Sequence, residues 1–137
     1  MFVEERIYTL QPGRTVDFLR LYEEEALAIQ LKHLGTMVDY YSSEIGTLNQ
    51  VIHLWAFDDT NQRIERRGRM IADPDWSKVL NRLLPLVEHQ ESRILRPAPF
   101  FRSKLAAITR QVAQRAKFVQ QARISVSSAG WVSAPRA

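Results

Sequence analysis

The residues of this chain best suited to chemistry lie on two segments with strand-like patterns. Arg6 and Tyr8 alternate along one segment, and His53 and Trp55 alternate along the other. Residues two apart on a strand point to the same sheet face, so each pair presents its side chains together. Arginine supplies fixed donors for a carboxylate or phosphate, and histidine can transfer a proton near neutral pH. With aromatic walls beside them, these residues predict a site for a small acidic or aromatic ligand.

A structural role for the same residues is the alternative. Arg6 could pair with Glu4 or Glu44, and His53 could be a satisfied core or interface residue. The sequence leaves both interpretations open. The candidate ligand-binding set adds further residues of the hairpin that carries His53, and its members are Arg6, Tyr8, Tyr40, Glu44, Asn49, His53 and Trp55.

Other catalytic patterns are absent from the sequence. The three histidines, His33, His53 and His89, lie on separate predicted elements without metal-ligand spacing, so we expect no metal site. There is no Gly-x-Ser-x-Gly elbow and no glycine-rich phosphate loop, and we expect no cofactor. Whether the chain is an enzyme stays open. Four arginines within residues 63–69 are interrupted by Glu65, which favours a solvated face with salt links over a phosphate-binding patch.

Charge is distributed unevenly along the chain. Residues 1–101 hold 12 Lys and Arg against 15 Asp and Glu, whereas residues 102–137 hold 7 basic residues and no acidic one. The net charge of +4 therefore arises in the tail, which argues against a body that binds nucleic acid. The sequence has no cysteine, no N-terminal signal pattern and no apolar run near the ~20 residues that span a bilayer. We expect a cytoplasmic protein.

The elements that position the candidate site follow from the apolar pattern. We predict helices over residues 15–34, 61–72 and from Pro74 to near Pro85, and strands over residues 2–10, 36–44, 50–57 and 89–95. The order β-α-β-β-α-β indicates the α+β, ferredoxin-like fold, a four-stranded antiparallel sheet with helices on one face. The other face is predicted to be bare, and the aromatic residues of the strands favour its burial in a homodimer.

The C-terminal part differs in kind from the body. We assign residues 1–101 to the ferredoxin-like domain and residues 102–137 to a basic extension, partly helical and then disordered from Ser125. Its helical stripe is rich in alanine, which predicts weak affinity for a membrane. We therefore favour a solvated or loosely packed appendage that is dispensable for folding over a segment that binds a membrane or partner.

Motifs along the body carry a resemblance to a known family. In chain order they are Glu4-Glu5-Arg6-Ile7-Tyr8-Thr9-Leu10, Pro12-Gly13, His33-Leu34-Gly35, Ser43-Glu44-Ile45-Gly46, Asn49-Gln50-Val51, His53-Leu54-Trp55, Asp73-Pro74-Asp75-Trp76 and Ile94-Leu95-Arg96-Pro97-Ala98-Pro99-Phe100. Over about residues 2–101 the chain resembles the NIPSNAP family, within the dimeric α+β barrel superfamily. The resemblance implies a homodimer whose two sheets enclose a barrel, and no settled enzymatic activity. Two functions stay open, small-molecule binding or cofactor-free catalysis in the barrel, and a non-catalytic interaction or scaffold module.

Overall fold

The fold is built on a four-stranded antiparallel sheet. The computed structural model describes residues 1–128 of the chain. The strands are β1 (Phe2–Leu10), β2 (Thr36–Ser42), β3 (Gln50–Phe57) and β4 (Val87–Leu95). They lie in the order β2-β3-β1-β4, which is the ferredoxin-like arrangement. The predicted fold class is therefore confirmed, with β2 ending earlier and β4 beginning earlier than expected.

Helices connect strands of the sheet, and one further helix comes after the last strand. Helix α1 (Thr15–Leu21) continues through a π-helical turn (Tyr22–Ala26) into α2 (Leu27–Leu34). After β3 come α3 (Thr60–Ala72) and α4 (Pro74–Leu83), and α5 (Arg102–Ser128) follows the body. None of these described helices is long and apolar enough to cross a membrane.

Local sequence signals set the helix ends. Asp59 and Asp73 accept hydrogen bonds from backbone N–H groups in the first turns of α3 and α4, so each is an N-cap. Gly35 ends α2 with a φ of +85°, a conformation that glycine adopts at little cost. A Cβ at Gly35 would lie 2.9 Å from the Arg66 guanidinium. Glycine is therefore required there by both the backbone and the close approach of Arg66.

The main core lies between the sheet and helices α1–α4. In the register of β1 and β3, Arg6 pairs with His53 and Glu4 pairs with Trp55. Directly paired residues share a face, and this face packs against the helices. Most aromatic residues of the strands pack into this core rather than onto the open face, including Tyr8, Tyr40, Trp55 and Phe57, whereas Tyr41 is exposed. They therefore do not support the argument that an aromatic bare face drives dimerisation.

The opposite sheet face is partly covered by α5, where we expected a bare face. Helix α5 packs against β2, and Leu105 is 1% exposed. A cavity of about 160 Å³ is lined by Ala56 on the outer sheet face and by Thr109 and Ala113 of α5. The first turns of α5 are thus packed against the body, and the expected loose appendage is not what the structure shows there.

The end of the extension is only partly described. Helix α5 continues through Ser125, where we expected disorder to begin, and reaches Ser128. The rest of that prediction, residues 129–137, lies outside the described residues. The boundary between a domain of residues 1–101 and an extension stays a prediction.

Candidate functional site

Five of the seven predicted site residues come together between the sheet and the helices. The ring of His53 lies 5.0 Å from the rings of both Tyr8 and Tyr40, and 6.2 Å from that of Trp55, measured between centroids. Arg6 lies over the Tyr8 ring at 5.3 Å and donates from Nε to its hydroxyl at 2.9 Å. We call these five residues the inter-layer cluster. Four of them alternate along β1 and β3, which made them predictable, and Tyr40 lies on β2.

The other two predicted residues lie elsewhere. Glu44 is exposed in the turn between β2 and β3 and does not join the inter-layer cluster. Asn49 adopts a φ of +58°, which asparagine tolerates better than most residues. Its carbonyl accepts a hydrogen bond from the Leu10 N–H at 2.7 Å. Asn49 therefore shapes the hairpin, and the structure gives it no contact with the cluster.

His53 is buried and electrically neutral. Trp55 Nε1–H donates to His53 Nδ1 at 2.7 Å, so the imidazole proton sits on Nε2. That Nε2 has no hydrogen-bond partner among the described residues. Burial, followed by the charge of Arg6, lowers the pKa of His53 to about 3. His53 therefore offers an N–H donor near pH 7 and not the acid–base group that the sequence suggested.

Two tyrosines border His53 on the helix side. The Tyr40 ring stacks on His53, and its buried hydroxyl has no partner among the described residues. Tyr22, from the π-helical turn, lies 4.7 Å from the Tyr40 ring and donates to Gln30 Oε1 at 2.6 Å. Burial raises the pKa of both hydroxyls above their usual value, so both stay protonated. Tyr22 was not predicted, because no sequence signal marks the π-helical turn that places it.

Glu4 anchors a basic edge beside the inter-layer cluster. Its side chain is 1% exposed. It accepts from Arg63 at 2.7 and 3.0 Å, from Ser92 at 2.7 Å and from Arg6 at 3.3 Å. Burial alone would raise the pKa of this carboxyl, but the hydrogen bonds from Arg63 and Ser92 and the nearby guanidinium charges lower it to about 2. The predicted Arg6–Glu4 pair exists, although Arg63 makes the closer contact.

Arg67 brings a third guanidinium to this edge. It lies one helical turn after Arg63, on the same face of α3, and is half-buried. Burial, and then the charge of Arg6, lowers the pKa of Arg67. Ion pairs among the described side chains join Arg6 and Arg63 to Glu4, and none involves Arg67. Three guanidinium groups therefore lie near one carboxylate, which pairs with two of them.

The predicted solvated face of residues 63–69 is wrong for most of its arginines. Arg63 and Arg67 face β1, and Arg66 donates to the Leu34 carbonyl at 2.8 Å. Only Arg69 matches the prediction, pairing with Glu65 at the exposed surface. The four-residue spacing of Arg63 and Arg67 was the available signal, but the sequence did not show which helix face meets the sheet.

A small cavity lies beside the inter-layer cluster. Its volume is about 20 Å³, close to what one water molecule needs, and Tyr8 is the cluster residue that borders it, together with Tyr22 and Gln30. The edge near Glu4 is more open, because Ser92 and Ile94 on the helix-facing side of β4 are exposed. Arg6 of the cluster is 14% exposed at this edge.

Known proteins are similar in sequence to the body of this chain. The sequence profile of the NIPSNAP family matches residues 3–102. The chain is 34% identical over 94 residues to "Protein NipSnap homolog 2" of Danio rerio, which covers 69% of this chain and 32% of that protein. The chain thus spans about a third of the length of that relative.

Solved structures agree with this family and with the fold. Protein Atu4242 of Agrobacterium tumefaciens matches with a TM-score of 0.72 and 43% identity, over 73% of this chain and 96% of that chain. An antibiotic biosynthesis monooxygenase matches with a TM-score of 0.51 and 10% identity, over 72% of this chain and 100% of that chain, which shows a shared fold alone. On the match over residues 3–102 and these relatives, the chain belongs to the NIPSNAP family.

Proposed function

We propose that the inter-layer cluster binds a small acidic or aromatic molecule. The observation that carries the proposal is the pair of buried polar atoms, His53 Nε2 and the Tyr40 hydroxyl, which lack partners among the described residues. A buried donor without a partner costs about 1–3 kcal/mol. A ligand oxygen that accepts from these groups would remove that cost.

The surrounding side chains suit such a ligand. Tyr8 and Tyr40 flank the imidazole with their rings and would pack against an aromatic or apolar part. Arg6 is 14% exposed, and its 3.3 Å contact with Glu4 only partly balances its charge. Its guanidinium group would therefore attract a ligand carboxylate. Since His53 is neutral, it would orient the ligand by donating a hydrogen bond. We therefore propose that the cluster binds a ligand. Cofactor-free catalysis there would need a group other than His53 to move the proton.

A non-catalytic interaction or scaffold module is the second candidate. The observation in its favour is that the cavity beside the cluster measures about 20 Å³, too small for an organic molecule, and is bordered by neither His53 nor Tyr40. Under this alternative the cluster is a polar part of the core, and its residues matter for stability alone.

The two candidates are separated by measuring affinity and stability on the same variants. Mass spectrometry of the purified protein, or a small-molecule screen, first supplies a ligand. We expect Arg6→Ala and Tyr40→Phe each to weaken its binding by about tenfold or more, a loss of about 1.4 kcal/mol. Tyr41→Phe, next to Tyr40 on β2 but exposed, is the matched control. Unchanged affinity together with a large loss of stability would leave the scaffold candidate standing.

Homodimerisation belongs to the same proposal. The half of the outer sheet face formed by β1 and β4 lies furthest from β2, against which α5 packs. A second copy would cover this half and bury the outer-face residue Leu95, which is 40% exposed. A cytoplasmic location also remains a prediction from the sequence.

A further inference from the structure

We infer that Arg6, Arg63 and Arg67, with Ser92, form an oxyanion site at the edge between α3 and β4. The site would take the carboxylate or phosphate group of a small molecule. The inference rests on the proposed function for the rest of that molecule, whereas the anion itself can be tested alone. None of Arg63, Arg67 and Ser92 belongs to the set predicted from the sequence.

The placement of Arg67 follows from the geometry of α3 and β1. Helix α3 follows β3 and returns across the sheet, so it runs in the same direction as β1, the antiparallel neighbour of β3. Arg63 bonds Glu4. Four helical residues rise about 6 Å, and two strand residues advance about 6.6 Å. Arg67 therefore lies over Arg6, as Arg63 lies over Glu4.

The charge at this edge is unbalanced. Both oxygens of Glu4 are engaged, Oε1 by Arg63, Ser92 and Arg6, and Oε2 by Arg63. One carboxylate faces three guanidinium groups, and Arg67 has no ion-pair partner among the described side chains. Holding guanidinium groups close together in a partly buried place costs free energy, because like charges repel. An anion bound between them would instead be attracted to each.

The side chains of the site are partly exposed, so an anion can reach them from solvent. The side chains of Arg63 and Arg6 are 25% and 14% exposed, and Ser92 is exposed even though it bonds Glu4. Guanidinium groups present paired N–H donors that match carboxylate and phosphate oxygens. An oxyanion between Arg6 and Arg67 would lie near Tyr8, the residue of the inter-layer cluster whose hydroxyl Arg6 contacts.

Titration calorimetry on the full chain at low ionic strength tests the inference, with inorganic phosphate and benzoate as separate probes. We expect at least one of them to bind, and Arg67→Gln to weaken that binding about tenfold or more, equivalent to about 1.4 kcal/mol. Arg69→Gln is the matched control on the same helix, where Arg69 is exposed and paired with Glu65. Phosphate alone binding would indicate a phosphate site, and benzoate alone a carboxylate site.

A second readout separates binding from folding. Because Arg67→Gln removes a like-charge contact, it should not lower the melting temperature in anion-free buffer, but it should abolish the rise that the bound anion produces. The inference is overturned if neither probe binds the wild-type chain, or if Arg67→Gln and Arg69→Gln behave alike. Tyr40→Phe should leave anion binding intact. If Tyr40→Phe also binds the organic ligand as well as the wild type does, the proposed function is defeated and the oxyanion site is not.

Discussion

Glu4 is a buried carboxylate that faces more positive charge than it can neutralise. It holds Arg6 from its own strand, Arg63 from α3 and Ser92 from β4 in one network. Glu4 thereby ties the sheet to the helix layer at the edge where we place the oxyanion site. Its removal would leave three guanidinium groups without a carboxylate among the described side chains.

Glu4→Gln should destabilise the protein by about 3 kcal/mol, because breaking a buried pair leaves uncompensated charge. Urea unfolding at pH 7 measures this change. The exposed Glu65→Gln is the control and should cost less than about 1 kcal/mol. Equal midpoints for the two variants would show that Glu4 is solvated enough to be dispensable.

The same carboxylate predicts a dependence on pH. The pKa of Glu4 is lowered from 4.5 to about 2, so the folded state holds the ionised form more strongly than the unfolded state does. This contribution to stability is present above pH 4.5 and is lost as the pH falls toward 2. Urea midpoints of the wild type should therefore fall more steeply over this range than those of Glu4→Gln. Parallel curves would contradict the lowered pKa.

His53 should remain neutral across the physiological range. Its pKa is lowered to about 3 by burial and the charge of Arg6, so its NMR signals should show no titration between about pH 5 and 8. The Trp55 indole N–H signal should stay constant with it, because that proton is donated to His53 Nδ1. An inflection near pH 6.5 would instead show an imidazole open to solvent.

Sequence periodicity placed residues on common sheet faces where their spacing matches the period of a strand. The two-residue spacing of Arg6 and Tyr8, and of His53 and Trp55, placed them on common faces before the pairing of strands was known. Ser92 could not be found in this way, since its role depends on the register between β4 and β1. Turn residues have no comparable periodicity, which is why the sequence did not show that Glu44 lies apart from the inter-layer cluster.

At the scale of elements, α5 adds a packed helix beyond the part of the chain that matches the family. The match ends at residue 102, where α5 begins. Its alanine-rich stripe predicted a weakly held segment, yet Leu105 is buried against the body. Leu105, Ile108 and Val112 recur at helical spacing, but sequence alone could not reveal this contact, because the spacing does not show which surface the helix meets.

Leu105→Ala should destabilise the full chain by about 2–5 kcal/mol, the usual cost of a large-to-small change in a packed site. Ile64→Ala on α3, where Ile64 is 61% exposed, is the control and should have little effect. Thermal and urea unfolding both report the difference. A Leu105 variant as stable as the control would restore the view that the extension is dispensable for folding.

At the scale of the whole molecule, the outer sheet face raises the question of assembly. We expect the full chain to form a homodimer at micromolar concentration, measured by sedimentation equilibrium. Leu95→Glu places a charge on the outer face of β4 and should weaken association, whereas Ile94→Glu points to the helix side and should not. A wild-type chain that sediments as a monomer would refute dimerisation.

Native mass spectrometry of the full chain purified from cells tests whether the inter-layer cluster holds a ligand. We expect the folded wild-type protein to carry a small molecule of defined mass with an acidic or aromatic group. The same molecule should be lost from Arg6→Ala and Tyr40→Phe and retained by Tyr41→Phe. Retention of the molecule by all three variants, or a wild-type protein that carries none and binds none in a small-molecule screen, would contradict a ligand site in the inter-layer cluster.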